Sequence, residues 1–152
     1  MFESSVSAPI EILMIEDNPG DVRLTREVLG EASVHNSLVA VKDGEEAMNY
    51  LYKRGSFADA ARPDLILLDL NLPKMSGLEI LQKIKSDKDL RSIPVVILTS
   101  SQAEHDILAG YDAYANAYIT KPVSLDQFNR IVLAIEGFWL ETVRLPRQST
   151  ES

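Results

Sequence analysis

Apolar residues in this chain fall into two kinds of run. Ile10-Glu11-Ile12-Leu13-Met14-Ile15, Leu38-Val39-Ala40-Val41, Leu65-Ile66-Leu67-Leu68, Pro94-Val95-Val96-Ile97-Leu98 and Ala115 to Ile119 are short and near-continuous, the signature of strands. The third and fourth lack polar alternation, as expected of strands buried on both faces. Between them, apolar positions recur at helical spacing. Val22, Leu24 and Val28-Leu29 follow Asp21, with Gly30 and Ser33 as the exit. Ala47, Met48, Leu51 and Tyr52 follow Asp43-Gly44 and are closed by Gly55. Gly77 to Ile84 predicts a third helix, Ala103 to Leu108 a short fourth, and Leu125 to about Val143 a fifth, capped by Ser124 and stopped by Pro146. Strands alternating with helices require crossover connections, so the expected class is α/β, a doubly wound five-stranded parallel sheet.

Length and composition narrow the picture. With 152 residues, 45% of them hydrophobic, the chain suits one domain, expected over residues 9–146 with polar, flexible ends at 1–8 and 147–152. No output domain is expected after it. The net charge of -8 argues against nucleic acid or an anionic membrane surface and for a protein partner. Without cysteine there is no disulfide or thiolate metal site, which is compatible with a cytoplasmic location. No apolar run approaches the length of a membrane span, and Met1 to Ala8 does not resemble a signal peptide.

Candidate chemistry lies at the strand ends. In open parallel sheets ligands bind beyond the carboxyl ends of the strands. Glu16 and Asp17 follow the first strand, Asp69 ends the third, Thr99 the fourth, and Lys121 follows the fifth. Each alone has a bland explanation; Asp69, for instance, could simply cap the turn that follows. Together they converge on one rim. Three neighbouring carboxylates repel unless a cation joins them, and Mg²⁺ suits a few carboxylates together with phosphate oxygens. An Asp carboxylate at such a site can accept a phosphoryl group covalently, with Lys121 and Thr99 orienting its oxygens.

The segments Ile15-Glu16-Asp17-Asn18, Leu68-Asp69-Leu70-Asn71-Leu72-Pro73-Lys74-Met75-Ser76-Gly77, Leu98-Thr99-Ser100 and Tyr118-Ile119-Thr120-Lys121-Pro122 resemble the receiver domain of two-component response regulators. The resemblance runs from Glu11 to about Trp139 and includes the intervals of 30 residues from Asp69 to Thr99 and 22 from Thr99 to Lys121. It implies a flavodoxin-like (βα)5 fold and phosphorylation of Asp69 by a sensor histidine kinase. It further implies that Glu16 or Asp17, Asp69 and the Asn71 carbonyl hold Mg²⁺, that Thr99 and Tyr118 switch together, and that the Lys121–Pro122 bond is cis. Phe138-Trp139-Leu140 and Leu145-Pro146 are similar to the stand-alone regulators paired with cyanobacterial phytochromes, which makes a phytochrome the expected kinase.

Two departures stand out: an excess of chain over Tyr52 to Arg62, either a partner-contacting loop or an inert insertion, and Tyr114-Ala115-Asn116-Ala117 where the family has a small Gly-Ala pair. An aspartyl-phosphate phosphatase would need a second Asp two positions after Asp69, where Asn71 stands. A nucleotide-binding domain would need a Gly-rich phosphate loop, which the sequence lacks. A degenerate receiver would lack one of the acidic, Asp, Thr or Lys positions. His35 and His105 are expected at the surface. On the last helix Phe128, Val132, Ile135 and Trp139 form one stripe, with Leu125, Ile131, Phe138 and Thr142 to its side. This surplus of apolar surface predicts a homodimer through the fourth and fifth predicted helices and the strand containing Tyr118, unless Phe138 and Trp139 fold back on the domain.

Overall fold

Two apolar layers sandwich a single sheet in the computed structural model, which describes residues 9–32, 35–100 and 117–138. The strands are β1 (Ile10–Ile15), β2 (Asn36–Val41), β3 (Leu65–Asp69), β4 (Val95–Thr99) and β5 (Ala117–Thr120). All pair in parallel, in the order β2-β1-β3-β4-β5. This is the flavodoxin-like order, in which the winding of the connections reverses between β1 and β3 and opens a crevice beyond their carboxyl ends. The described helices are α1 (Pro19–Gly30), α2 (Gly44–Leu51), α3 (Gly77–Ser86) and α4 (Leu125–Phe138). The helix expected over Ala103 to Leu108, with His105, lies outside the described residues, as do Tyr114 to Asn116, Trp139, Thr142 and the side chains of Ile135 and Phe138.

The alternation of strand side chains explains the two layers. Leu13, Ile15, Ile66, Leu68, Val95 and Ile97 pack with Ala47, Tyr50, Ile80 and Ile84 of α2 and α3. Their neighbours Ile12, Met14, Leu65, Leu67, Val96, Leu98 and Ile119 pack with Leu29, Phe128 and Val132 of α1 and α4. Continuing this period past the strand ends assigns Glu16, Asp69 and Lys121 to the second face.

Local signals set the helix starts. Pro19 occupies the first turn of α1 behind an Asn18 cap, Asp43 caps α2, and Ser76 with Glu79 forms a capping box on α3. Some details differ from the sequence expectation. On α2 the buried tyrosine is Tyr50 rather than Tyr52, because the helix ends at Leu51 and Tyr52 turns outward. β5 is described from Ala117 onward, and Ala115 and Asn116 of the expected strand lie outside the described residues. Within the Tyr52 to Arg62 excess a 3-10 turn forms at Gly55–Phe57, and the Phe57 ring meets Tyr50 edge-on at 5.3 Å. Arg62 donates to the Asp89 carbonyl at 2.7 Å and to Ser92 Oγ at 3.0 Å, while Tyr52 Oη bonds Asp87. The insertion therefore docks on the protein's own body. No helix among the described residues is long and apolar enough to cross a membrane.

Candidate functional site

β3 ends in Asp69, buried at the point where the sheet order reverses. Its position is tightly constrained from below by Gly77. A Cβ there would stand 2.4 Å from the Asp69 carbonyl oxygen and 2.8 Å from Leu70 Cα, so only glycine lets α3 begin so close to the strand. The Gly77 N–H also bonds the Leu70 carbonyl at 3.0 Å, closing the intervening loop. Lys74, in that loop, adopts φ 68° and extends toward Asp43, 3.8 Å away, tying the loop to the start of α2.

The residues expected at the rim do meet. Glu16, Asp17 and Asp69 each offer a carboxylate oxygen within 4.8 Å of the others; Glu16 and Asp69 are buried and Asp17 is exposed. Lys121 reaches across from the end of β5. Its ammonium is 2.9 Å from Glu16 Oε1, 3.0 Å from Asp21 Oδ2 and 3.3 Å from Asp69 Oδ1. The first two contacts are hydrogen bonds. The third is close enough for charge attraction, yet among the described residues Asp69 Oδ1 has no hydrogen-bond partner although it is buried. A buried oxygen left in this state is costly and rare in folded proteins, so its retention invites a functional explanation.

Electrostatics follow the same geometry. Burial, aided by the Asp69 charge, pushes the Glu16 carboxyl up from 4.5 to about 7, against the pull of Lys121 and of the Asn18 N–H, which donates to Glu16 Oε2. For Lys121 burial acts downward, but Glu16, Asp21 and Asp69 outweigh it and hold the ammonium protonated far above its usual range. Three hard oxygen donors, one of them the buried and incompletely satisfied Asp69 carboxylate, suit a small divalent cation such as Mg²⁺.

Thr99 is buried at the end of β4, where its hydroxyl donates to the Ile119 carbonyl at 3.4 Å. Strand pairing sets Asp69 beside Leu98 and Tyr118 beside Ile97. By alternation, Thr99 and Tyr118 thus share the α2/α3 face, and Tyr118 is half-buried against that layer. Asn71 follows Asp69 in the exposed loop. The Lys121–Pro122 bond is cis. His35 is exposed, as expected. Asp21 is the site neighbour that the sequence does not single out: it reads there only as the acidic first turn of α1.

Comparison with known proteins gives a consistent result. Residues 12–133 match the response regulator receiver domain. The response regulator Rcp1 of Synechocystis sp. is 46% identical over 138 residues, covering 91% of this chain and 94% of Rcp1. It has been solved in a Mn²⁺-bound form, which superposes with a TM-score of 0.68. The phosphorylated cyanobacterial phytochrome response regulator RcpA is 51% identical, covers 90% of this chain and 97% of its own, and superposes with a TM-score of 0.70. The bacteriophytochrome response regulator RtBRR is 43% identical, with 83% and 77% coverage and a TM-score of 0.76.

Proposed function

The chain belongs to the response regulator receiver domain family and is related to phytochrome response regulators; from that premise we propose that it accepts a phosphoryl group on Asp69 from a sensor histidine kinase and signals by changing its protein contacts. The observation that carries this reading is the buried Asp69 carboxylate, one oxygen of which receives no hydrogen bond from the described residues while the Lys121 ammonium stands 3.3 Å away.

In the transfer, an Asp69 oxygen attacks the phosphorus of a phosphohistidine. The P–N bond breaks, its electron pair stays on the imidazole nitrogen, and an acyl phosphate forms. Lys121 moves its charge to a phosphoryl oxygen, and the Thr99 hydroxyl exchanges the Ile119 carbonyl for another. Glu16, Asp17, Asp69 and the Asn71 carbonyl would hold Mg²⁺, which neutralises the carboxylates and the phosphoryl oxygens when bound. The phosphoryl group adds roughly -1.5 to -2 charge at a buried site. Thr99 drawn toward that charge leaves space on the face it shares with Tyr118, so the two move together and reshape the β5 edge.

The signal reads out through a homodimer built on α4, the helix expected over Ala103 to Leu108, and β5. Leu133, 67% exposed on α4, supports an apolar surface there. The relatives' names point to a phytochrome as the kinase. A hydroxylamine-labile phosphate should appear when the protein is incubated with acetyl phosphate and Mg²⁺, and should be absent from Asp69→Asn. Equal labelling of the variant, or undiminished labelling in excess chelator, contradicts the reading.

A further inference from the structure

We propose that Asp21 is a positioning residue for Lys121: its carboxylate anchors the ammonium at the outer edge of the site and offsets its charge, leaving Asp69 open toward metal and phosphoryl group. The inference rests on the phosphoryl-acceptor reading above and concerns a residue outside it.

Two observations carry it. First, Lys121 makes its two hydrogen bonds to Glu16 at 2.9 Å and Asp21 at 3.0 Å, while Asp69, at 3.3 Å, receives none. The unpartnered Asp69 oxygen and the Asp21 anchor are two sides of one arrangement. Second, Asp21 is not among the three carboxylates whose oxygens gather within 4.8 Å. It therefore holds the lysine without occupying the place of a cation. It is also placed on a firm element: its own N–H bonds the Asn18 side chain in the cap of α1 at 3.1 Å. If the Asp21 charge is removed, the ammonium retains Glu16 and Asp69 as its only anionic neighbours described here. The lysine then turns fully onto the oxygens a cation needs and competes with it.

The blander account is that Asp21 merely favours the amino end of α1 as a first-turn carboxylate. The two accounts separate in a metal titration that counts free Mn²⁺ by electron paramagnetic resonance. Asp21→Asn should weaken Mn²⁺ binding by about 3- to 10-fold, the scale of one displaced ammonium charge acting at several ångströms through a water-like dielectric. Asp21→Glu should restore at least half of the loss. In a Lys121→Met background the same Asp21→Asn change should cost less than about twofold, since the anchored partner is gone. Unfolding curves for each variant show whether the fold is retained. An equal loss in both backgrounds, or unchanged Mn²⁺ affinity in Asp21→Asn, overturns the proposal. Acetyl phosphate labelling separates the two failures. A wild-type protein that labels and binds Mn²⁺, with Asp21→Asn indistinguishable from it, rejects only the role of Asp21. A wild-type protein that does neither rejects the underlying reading and this inference with it.

Discussion

β3 and β4 lie side by side, both five residues long and fully buried, and each closes on a polar residue, Asp69 in one and Thr99 in the other. Their sequences, Leu65-Ile66-Leu67-Leu68-Asp69 and Val95-Val96-Ile97-Leu98-Thr99, are nearly interchangeable as core strands. Their ends are treated differently. The Thr99 hydroxyl has the Ile119 carbonyl to bond, so its burial costs little. Asp69 carries a carboxylate into the same depth, beside two other acids, and leaves one oxygen without a hydrogen bond. Folding alone would favour the first solution at both positions. The difference marks where stability is given up, and Asp69 is the position where the proposed chemistry occurs.

Four changes probe that contrast. The largest effect is expected from Asp69→Asn, which keeps the shape and removes the nucleophile: hydroxylamine-labile labelling should fall by more than about 100-fold. Residual labelling near the wild-type level would mean that β3 and β4 end alike after all.

The next effect is in pH. Burial raises the Glu16 carboxyl from 4.5 to about 7, so the folded protein retains a proton that the unfolded chain has lost. The stability this contributes is complete below 4.5 and disappears as pH rises through about 7. In metal-free buffer, urea unfolding should show a loss of up to about 3 kcal/mol between pH 4.5 and 8, and Glu16→Gln should flatten it. A slope equally steep in Glu16→Gln would assign the loss elsewhere.

Gly77→Ala tests the support beneath Asp69 and should cost about 2 kcal/mol in urea unfolding, since the added methyl meets backbone at 2.4 Å. Wild-type stability would show that the approach of α3 to β3 is loose. The smallest effect belongs to the satisfied end: Thr99→Val should change stability by less than about 1 kcal/mol and leave Asp69 labelled. A larger loss, or no label, would make Thr99 as critical as Asp69.

Much of this was legible in the sequence for a physical reason. A buried parallel strand is a continuous apolar run, so the polar residue that ends it stands out, and Asp69, Thr99 and Lys121 were found that way. Capping residues such as Asp43 likewise announced their helices. What escaped depended on contacts between distant parts of the chain. Asp21 serves a lysine 100 residues away, and nothing local distinguishes it from an ordinary first-turn acid. The Tyr52 to Arg62 insertion read as a loop without a destination, because its partners Asp87, Asp89 and Ser92 lie beyond β3. On α2, a helix ending one residue earlier was enough to exchange Tyr52 for Tyr50 in the core. The predicted dimer face turns on Ile135, Phe138 and Trp139, which fall outside the described side chains.

The central claim is that the incompletely satisfied carboxylate at the end of β3 is the phosphoryl acceptor. Borohydride reduces an acyl phosphate and would convert a phosphorylated Asp69 to homoserine, so mass spectrometry of the treated, acetyl phosphate-labelled protein tests it directly. The account predicts homoserine at position 69 alone, dependent on Mg²⁺; homoserine at position 17 or 21, or hydroxynorvaline at position 16, with Asp69 intact would contradict it.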